Sequence, residues 1–321
     1  MVASTWADAL KASFVKPSWR TLHGGCLLLL VTCLCLATAQ AQVTLVPGPE
    51  APELAGPPSP QTLLRPIARS LDPDSRKNDR TATRVVIIGK TLTPEIFNIF
   101  SAMPDLSILD LRRCSFPASA LTNWVPPRRL ASLILDGATV DDQVLAKLPA
   151  IATLTQLNLR RTKITDAGLA NLSKLPRLSV LLLDETNIGD TGLAAVAALP
   201  AVTQLYLDDT RITDAGLAKL NPKWQLGYLH LAGTAVTDAG LSHLHRFVTT
   251  MQSLSLSHTR ITDAGLIHWQ PNDRLRWLYL ANTLVTNAGI ESLLPATKLQ
   301  YLDLSETLLT PDVYPCLRTF P

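Results

Sequence analysis

LTQLNLRRTKITDAGLANLSKLPR (154–177) and VTQLYLDDTRITDAGLAKLNPKWQ (202–225) are two lines of a pattern that runs ten times between residues 82 and 321. The spacing is 24 residues, with one extra residue inserted near 245–250. A strict period of this length is the signature of stacked repeats, and it decides the architecture before any other feature of the chain.

Five columns hold their register. The fourth position reads Val85, Leu109, Leu133, Leu157, Leu181, Leu205, Leu229, Leu254, Leu278 and Leu302, and the sixth runs from Ile87 through Leu159 and Leu207 to Leu304. Two apolar positions two apart are a strand with one buried face. After the eleventh position (Leu92, Phe116, Ile164, Ile212, Ile261, Leu309) the spacing becomes helical, as in Leu169, Leu172 and Leu175. Between the two stands a helix start: Thr165, Thr213, Thr237, Thr262 and Thr286 are placed as N-caps, with Asp166, Asp214, Asp238, Asp263 and Asn287 in the first turn, where the helix dipole favours an acid. Each unit is therefore strand, turn, short helix and return. One unit cannot bury its leucines alone, so neighbours must stack. At a strand spacing of about 4.8 Å, ten units span roughly 43 Å.

The frame LxxLxLxxT followed by ITDAGLxxL resembles the leucine-rich repeat family, over about three quarters of the chain, and within it the bacterial relatives of the cysteine-containing repeats found beside F-boxes. Thr162, Thr186, Thr210, Thr234, Thr259, Thr283 and Thr307 stand where that class often carries Cys or Asn, and Cys114 keeps a cysteine. The resemblance implies an α/β horseshoe solenoid: a parallel sheet on the concave face, short helices on the convex one. It implies little about function, because the family is defined by its scaffold. Residues 92–106 look like the opening of an F-box, but Leu92 and Phe97 fall in the repeat register and no further F-box helices follow, so the segment is read as a divergent first repeat.

Residues 1–81 are of another kind. Lys11, Lys16 and Arg20 precede an apolar run over 26–39, and Ala39 and Ala41 supply an A-x-A site. This is the grammar of an export signal over 1–41, with cleavage after Ala41. The alternative is an uncleaved anchor reaching Val46, which the interruptions at Gln40 and Gln42 disfavour, since a span needs about 20 apolar residues. Residues 42–81 are Pro-rich, lack an apolar period, and read as a disordered linker before the repeat domain at 82–321. The expected location is thus periplasmic or secreted, or membrane-anchored if the signal stays.

The chain is +3 formally, and losing residues 1–41 with their three bases and Asp8 leaves +1. A nearly neutral domain argues against nucleic acid as a partner. Cys114 and Cys316, eight repeats apart at roughly 38 Å, are too far apart for a disulfide. The aspartate ladder from Asp142 to Asp263 lacks the dense oxygen clusters of a calcium loop, and helix-start chemistry is taken to explain it. No cofactor or metal is expected.

The informative positions are those on which the ten lines disagree. On the exposed side of the strands, early repeats carry Asp110, Arg112, Arg113, Asn158, Arg160 and Arg161; the middle carries Asp184, Glu185, Asp208 and Asp209; the later repeats carry Tyr206, Tyr228, His230, Trp277, Tyr279 and Tyr301. Four of the five tyrosines lie here. Aromatic residues suit strands and pack laterally between repeats, but Tyr, Trp and His beside acids are also the make-up of a binding hot spot for a protein, peptide or glycan. The candidate ligand-binding residues are Tyr206, Asp208, Tyr228, His230, Trp277, Tyr279, Tyr301 and Asp184. A serine relay through Ser255, His230 and Asp208 is the sharpest catalytic alternative, weakened by the lack of an evident oxyanion hole. The expected function is an exported, non-enzymatic binding scaffold. Secreted effector, envelope spacer held by its N-terminus, and enzyme follow in that order, and the exposed last repeat allows an end-to-end homodimer.

Overall fold

The computed structural model describes residues 43–47, 82–269, 274–318 and 320. The expected export signal over 1–41, its expected cleavage point and residues 48–81 of the expected linker lie outside the described residues.

Ten parallel strands follow the chain in order: β2 Ala82–Ile87, β3 Ile108–Asp110, β4 Ser132–Ile134, β5 Gln156–Asn158, β6 Val180–Leu182, β7 Gln204–Tyr206, β8 Tyr228–His230, β9 Ser253–Ser255, β10 Trp277–Tyr279 and β11 Tyr301–Asp303. The register advances one repeat per strand, pairing Leu133, Leu157, Leu181, Leu205, Leu229 and Leu254 in succession. One strand precedes them. β1, Val43–Pro47, lies antiparallel on β2, with Val43 opposite Ile87 and Leu45 opposite Val85. The Pro-rich composition of 42–81 conceals this strand, whose five residues are too few for a periodicity to register.

The return segments form the other layer: α1 Pro94–Ser101, a 3₁₀ turn at Ala118–Leu121, then α2 Asp142–Lys147, α3 Asp166–Leu169, α4 Asp190–Val196, α5 Asp214–Leu217, α6 Asp238–Leu244, α7 Asp263–Trp269, α8 Asn287–Glu291 and α9 Tyr314–Leu317. Several are a single turn, too short to persist without the stack. Between the layers the leucine columns form one continuous core, with Leu157, Leu181, Leu205, Leu229, Leu254 and Leu278 fully buried. The first repeat is heavier: Phe97 on α1 meets Phe100, Phe116 and Trp124 edge-on at 5.6, 5.2 and 5.5 Å. Residues 92–106 pack as a repeat, as their register predicts. The inserted residue is absorbed on the helical side, where a 3₁₀ turn at His245–Phe247 sinks Phe247 into the core.

Every repeat leaves its strand through a left-handed residue at the eighth position. Gly89, Gly137 and Gly233 supply three (φ +66°, +65° and +67°); Arg113, Arg161, Glu185, Asp209, His258, Asn282 and Glu306 adopt the same conformation at φ between 52° and 57°. For a residue with a Cβ this costs roughly 1–2 kcal/mol. The return is a hydrogen bond: the N–H at this position reaches the seventh-position carbonyl of the next repeat, as in Arg161 to Asp184 at 3.0 Å and Glu185 to Asp208 at 2.8 Å. The ladder thus continues past the strand while the chain turns toward the helical layer.

The TDAG sequence does more than start helices. Asp142 Oδ1 accepts the backbone N–H of Thr165 in the following repeat at 2.8 Å, and its Oδ2 accepts the Thr165 hydroxyl at 2.6 Å. Asp190 does the same to Thr213, Asp214 to Thr237, Asp238 to Thr262 and Asp263 to Thr286. Asp166 holds only the N–H of Gly189, which has no hydroxyl to offer. The ladder is therefore an inter-repeat clamp, and helix-start chemistry alone does not account for it. The Gly of each TDAG is part of the same device. A Cβ on Gly192 would stand 2.5 Å from Asp166 Oδ1, and Gly168, Gly216, Gly240, Gly265 and Gly289 are equally blocked by the aspartate of the repeat before. The ninth-position threonines act inside their own repeat: Thr162 donates to the Leu159 carbonyl at 2.6 Å and Thr210 to Leu207 at 2.6 Å.

Asp214→Ala leaves the Thr237 N–H without its acceptor and should cost about 1–3 kcal/mol. Asp214→Asn should cost less, because Asn287 already makes the equivalent pair with Thr310, at 3.0 and 2.7 Å. Gly216→Ala should be strongly destabilising alone and much less so with Asp190→Ala. Denaturant unfolding of these variants and of Asp190→Ala alone, five in all, checks this; an equal Gly216→Ala penalty in both backgrounds would remove the clamp as its cause.

Candidate functional site

The strands turn their leucines to the core and their first and third residues to the opposite face, which leaves the flanking residues of β6, β7, β8 and β10 half-buried. Tyr206, Tyr228, His230, Trp277, Tyr279 and Tyr301 all stand on this face, and the structure brings them into contact. The Tyr206 and His230 rings are 4.6 Å apart, His230 and Tyr279 6.0 Å, Tyr279 and Tyr301 5.2 Å, and Tyr228 and Trp277 stack at 6.2 Å with 27° between planes. The result is one aromatic platform across β7 to β11.

Two of these contacts skip a strand. β8 and β10 are separated by β9, so their backbones are about 9.6 Å apart, yet their rings meet at 6.2 and 6.0 Å. They lean together over the serines of β9. That explains why β9 is buried on both faces, with Ser253 3% and Ser255 6% exposed. Sequence reasoning missed this role. The signal was present: Ser253 and Ser255 make β9 the one strand whose outward positions are both small, between two strands bearing aromatics in the same columns.

The acids divide into two kinds. Asp184 is only 1% exposed and accepts the N–H of Asp208 at 3.0 Å, so it supports the sheet from beneath rather than lining the surface as the sequence reading placed it. Arg160 Nε lies 3.0 Å from Asp184 Oδ2, but its N–H does not point along that line, and the contact is an ion pair without a well-formed hydrogen bond. Burial, then the nearby Asp208, push the Asp184 carboxyl up to about 6 against the opposing pull of Arg160. Asp208 is more open. One oxygen accepts the Ala232 N–H at 2.7 Å and the other lies 3.8 Å from His230 Nδ1. Burial first, then Tyr228, Asp184 and Asp208, raise the Tyr206 hydroxyl to about 12. Burial, Tyr301 and Asp303 likewise raise Tyr279.

Ser255, His230 and Asp208 do not form a relay. Ser255 is the backbone partner of His230 in the sheet, but the hydroxyl at His230 Nε2 is that of Ser253, at 3.2 Å. The 3.8 Å between His230 and Asp208 is too long for the orienting hydrogen bond of such a triad. The register that aligned His230 with Ser255 is correct; the imidazole simply reaches diagonally. At the ends of β5 to β7 there is also an open depression of about 570 Å³, with Lys163, Glu185, Asp209 and Arg211 on its walls, and none of the aromatic residues lines it.

A family model described as "Leucine Rich repeat" matches residues 151–173 and 249–267. No curated protein matches the sequence. Among solved structures, an internalin (inlF) from Listeria monocytogenes is similar over 74% of this chain and 85% of its own, at 18% identity and a TM-score of 0.47. A plant ice-binding protein is similar over 70% and 74%, at 16% identity and a TM-score of 0.44. A second Listeria monocytogenes internalin, C2, covers 70% and 81%, at 18% identity and a TM-score of 0.42. The repeat architecture itself rests on the strand register and leucine columns above.

The raised Asp184 carboxyl has a sign that can be measured. Its folded-state value, about 6 against an ordinary 3.8, means that the native state binds this proton more tightly than the unfolded chain. This contribution therefore makes the protein more stable as pH falls through 6 and less stable above it. From pH 7.5 to 5 the gain should be on the order of 1 kcal/mol, and Asp184→Asn should flatten it. Unfolding free energies of both proteins across that window decide the matter; parallel curves would exclude Asp184 as the source.

Proposed function

We propose that this leucine-rich repeat chain is an exported, non-catalytic scaffold that holds a protein or peptide partner on the sheet face of its later repeats. The repeat fold supports a protein-binding role in general, since the extended face of a solenoid is its natural working surface. The observation that carries the finer reading is the aromatic platform across β7 to β11. Packing between repeats accounts for part of it. It does not call for Tyr301 at 49% exposure, or for tyrosine and tryptophan in place of the Val180 and Leu182 that fill the same columns one repeat earlier. Tyrosine and tryptophan bring large rigid contact area with a polar handle, the make-up of interface anchors. Export rests on the basic stretch, the apolar run over 26–39 and the Ala39-x-Ala41 site.

The double variant Trp277→Ala/Tyr279→Ala should lose capture of the protein that co-purifies with the wild-type chain, by tenfold or more, while circular dichroism confirms that it remains folded. Lys174→Ala on the helical side should retain it. Capture undiminished in the double variant would overturn the reading. Amino-terminal sequencing of chain recovered outside the cytoplasm should begin at Gln42; membrane-bound chain beginning at Met1 or Val2 would replace export by anchoring.

A further inference from the structure

Charge is segregated along the sheet face. In the first four repeats the outward columns carry Arg84, Arg112, Arg113, Arg160 and Arg161 against Asp110 and Asp136. In the last six they carry Asp184, Glu185, Asp208, Asp209, Asp303 and Glu306, with no lysine or arginine. Acids of the early half are consumed locally: Asp110 holds Arg112 at 2.9 Å and Asp136 holds Arg161 at 2.7 Å. Of those in the late half, Asp184 is met from across the boundary by Arg160 at 3.0 Å, and the outward columns of the last six repeats, which hold Asp208 and Asp303, contain no lysine or arginine to do the same. The aromatic platform lies wholly in this acidic half.

The platform has a carboxylate at each end. Asp208 stands beside Tyr206 and His230, its second oxygen 3.8 Å from the imidazole. Asp303 is on β11 with Tyr301, next to Tyr279. Its Oδ1 is engaged by the Ser305 N–H and hydroxyl at 3.0 and 2.7 Å. Each end thus offers what a cationic side chain seeks: a ring face and a carboxylate within one side chain's reach. Arginine fits best, because its planar guanidinium stacks on an aromatic face while its N–H groups reach an acid. Resting on the sheet-face reading above, we propose that this platform selects an extended peptide carrying two arginines, one for the Asp208–Tyr206 end and one for the Asp303–Tyr301 end.

The sheet sets their separation. From β7 to β11 there are four strand spacings, roughly 19 Å. An extended chain rises about 3.3 Å per residue, so the two arginines fall about six residues apart. An even separation also puts both on the same side of an extended peptide. Closer arginines reach one pole only.

The probes are two heptapeptides, Arg-Ser-Thr-Ser-Thr-Ser-Arg and the same sequence with citrulline, which keeps the shape of arginine without its charge. Each is titrated into isotope-labelled full-length chain and followed by NMR. The arginine peptide should shift Tyr206, His230, Tyr279 and Tyr301 saturably, and the citrulline peptide should bind at least tenfold more weakly. Asp208→Asn/Asp303→Asn, whose amide oxygens still accept the Ala232 and Ser305 donors, should bring the arginine peptide to the citrulline level without moving the unfolding midpoint. Arg-Ser-Thr-Arg should bind more weakly than the heptapeptide. Equal affinity for arginine and citrulline would overturn the cation selection and leave the sheet-face reading intact. Shifts on the aromatic face from cellobiose but not from arginine would overturn it in favour of a sugar. No shift there from any probe would also overturn it, while the Trp277→Ala/Tyr279→Ala capture experiment judges the broader reading separately.

Discussion

Five repeats between Asp142 and Asp263 are each fastened to the next by a carboxylate that takes both donors of a threonine one repeat further on, and the glycine two positions after the aspartate in the following repeat leaves room for that carboxylate. The four letters TDAG are one interlocking part. Thr receives the previous clamp and caps its helix, Asp extends the next clamp, and Gly makes the seat. Strand hydrogen bonds alone would let neighbouring repeats pivot about the sheet, because they lie on one side of the stack. The clamps lie near the start of the helical layer and fix the second side. In a solenoid, stability is largely a sum of such neighbour terms. A device repeated from Asp142 to Asn287 accordingly sets both the shape of the stack and how cooperatively it unfolds.

Because clamps, leucine columns and left-handed turns carry the fold, the outward strand positions are released from it. They hold valine, leucine, arginine, serine, tyrosine and tryptophan in a scaffold of unchanged register. Asp184 is the instructive exception. It occupies an outward column but is buried, beside an arginine that does not fully satisfy it, and its carboxyl is raised accordingly. A buried acid held at a cost marks the place where the basic half of the face meets the acidic half: Arg160 stands at the end of one and Asp184 itself at the start of the other. The boundary between two surface characters is drawn through the interior.

Much of this was legible in the sequence, for a physical reason. Period-24 leucines with a switch from twofold to helical spacing call for stacked strand–helix units, so the strands and the shared face of Tyr206, Tyr228, His230, Trp277, Tyr279 and Tyr301 followed from counting, while their parallel order was what the resemblance to leucine-rich repeats implied. What escaped were properties that depend on direction rather than position. Counting placed the aspartates in the first turn of each helix but could not show that their oxygens point to the next repeat. It aligned His230 with Ser255 but not the diagonal reach of the imidazole to Ser253. It placed Asp184 on the surface because its column is outward, when its neighbours close over it. β1 escaped for a different reason, since five residues paired at long range leave no periodic trace.

The serines of β9 bear on whether the aromatic face exists for folding or for recognition. If its rings served only lateral packing, each would pack best against a bulky neighbour on the adjacent strand, and a strand of small residues at the centre would be a defect. Instead Ser253 and Ser255 sit between Tyr228 and His230 on one side and Trp277 and Tyr279 on the other, and the rings bend over them to meet. Small residues there let four aromatic side chains converge into a continuous surface rather than two separated ridges. The arrangement gives up side-chain volume on the outward face of β9 and gains a broad ring-faced platform bounded by Asp208 and Asp303, in the half whose outward strand columns carry no lysine or arginine. A stabilising column has no use for that charge distribution, whereas a surface that must distinguish a cationic partner from a neutral one depends on it.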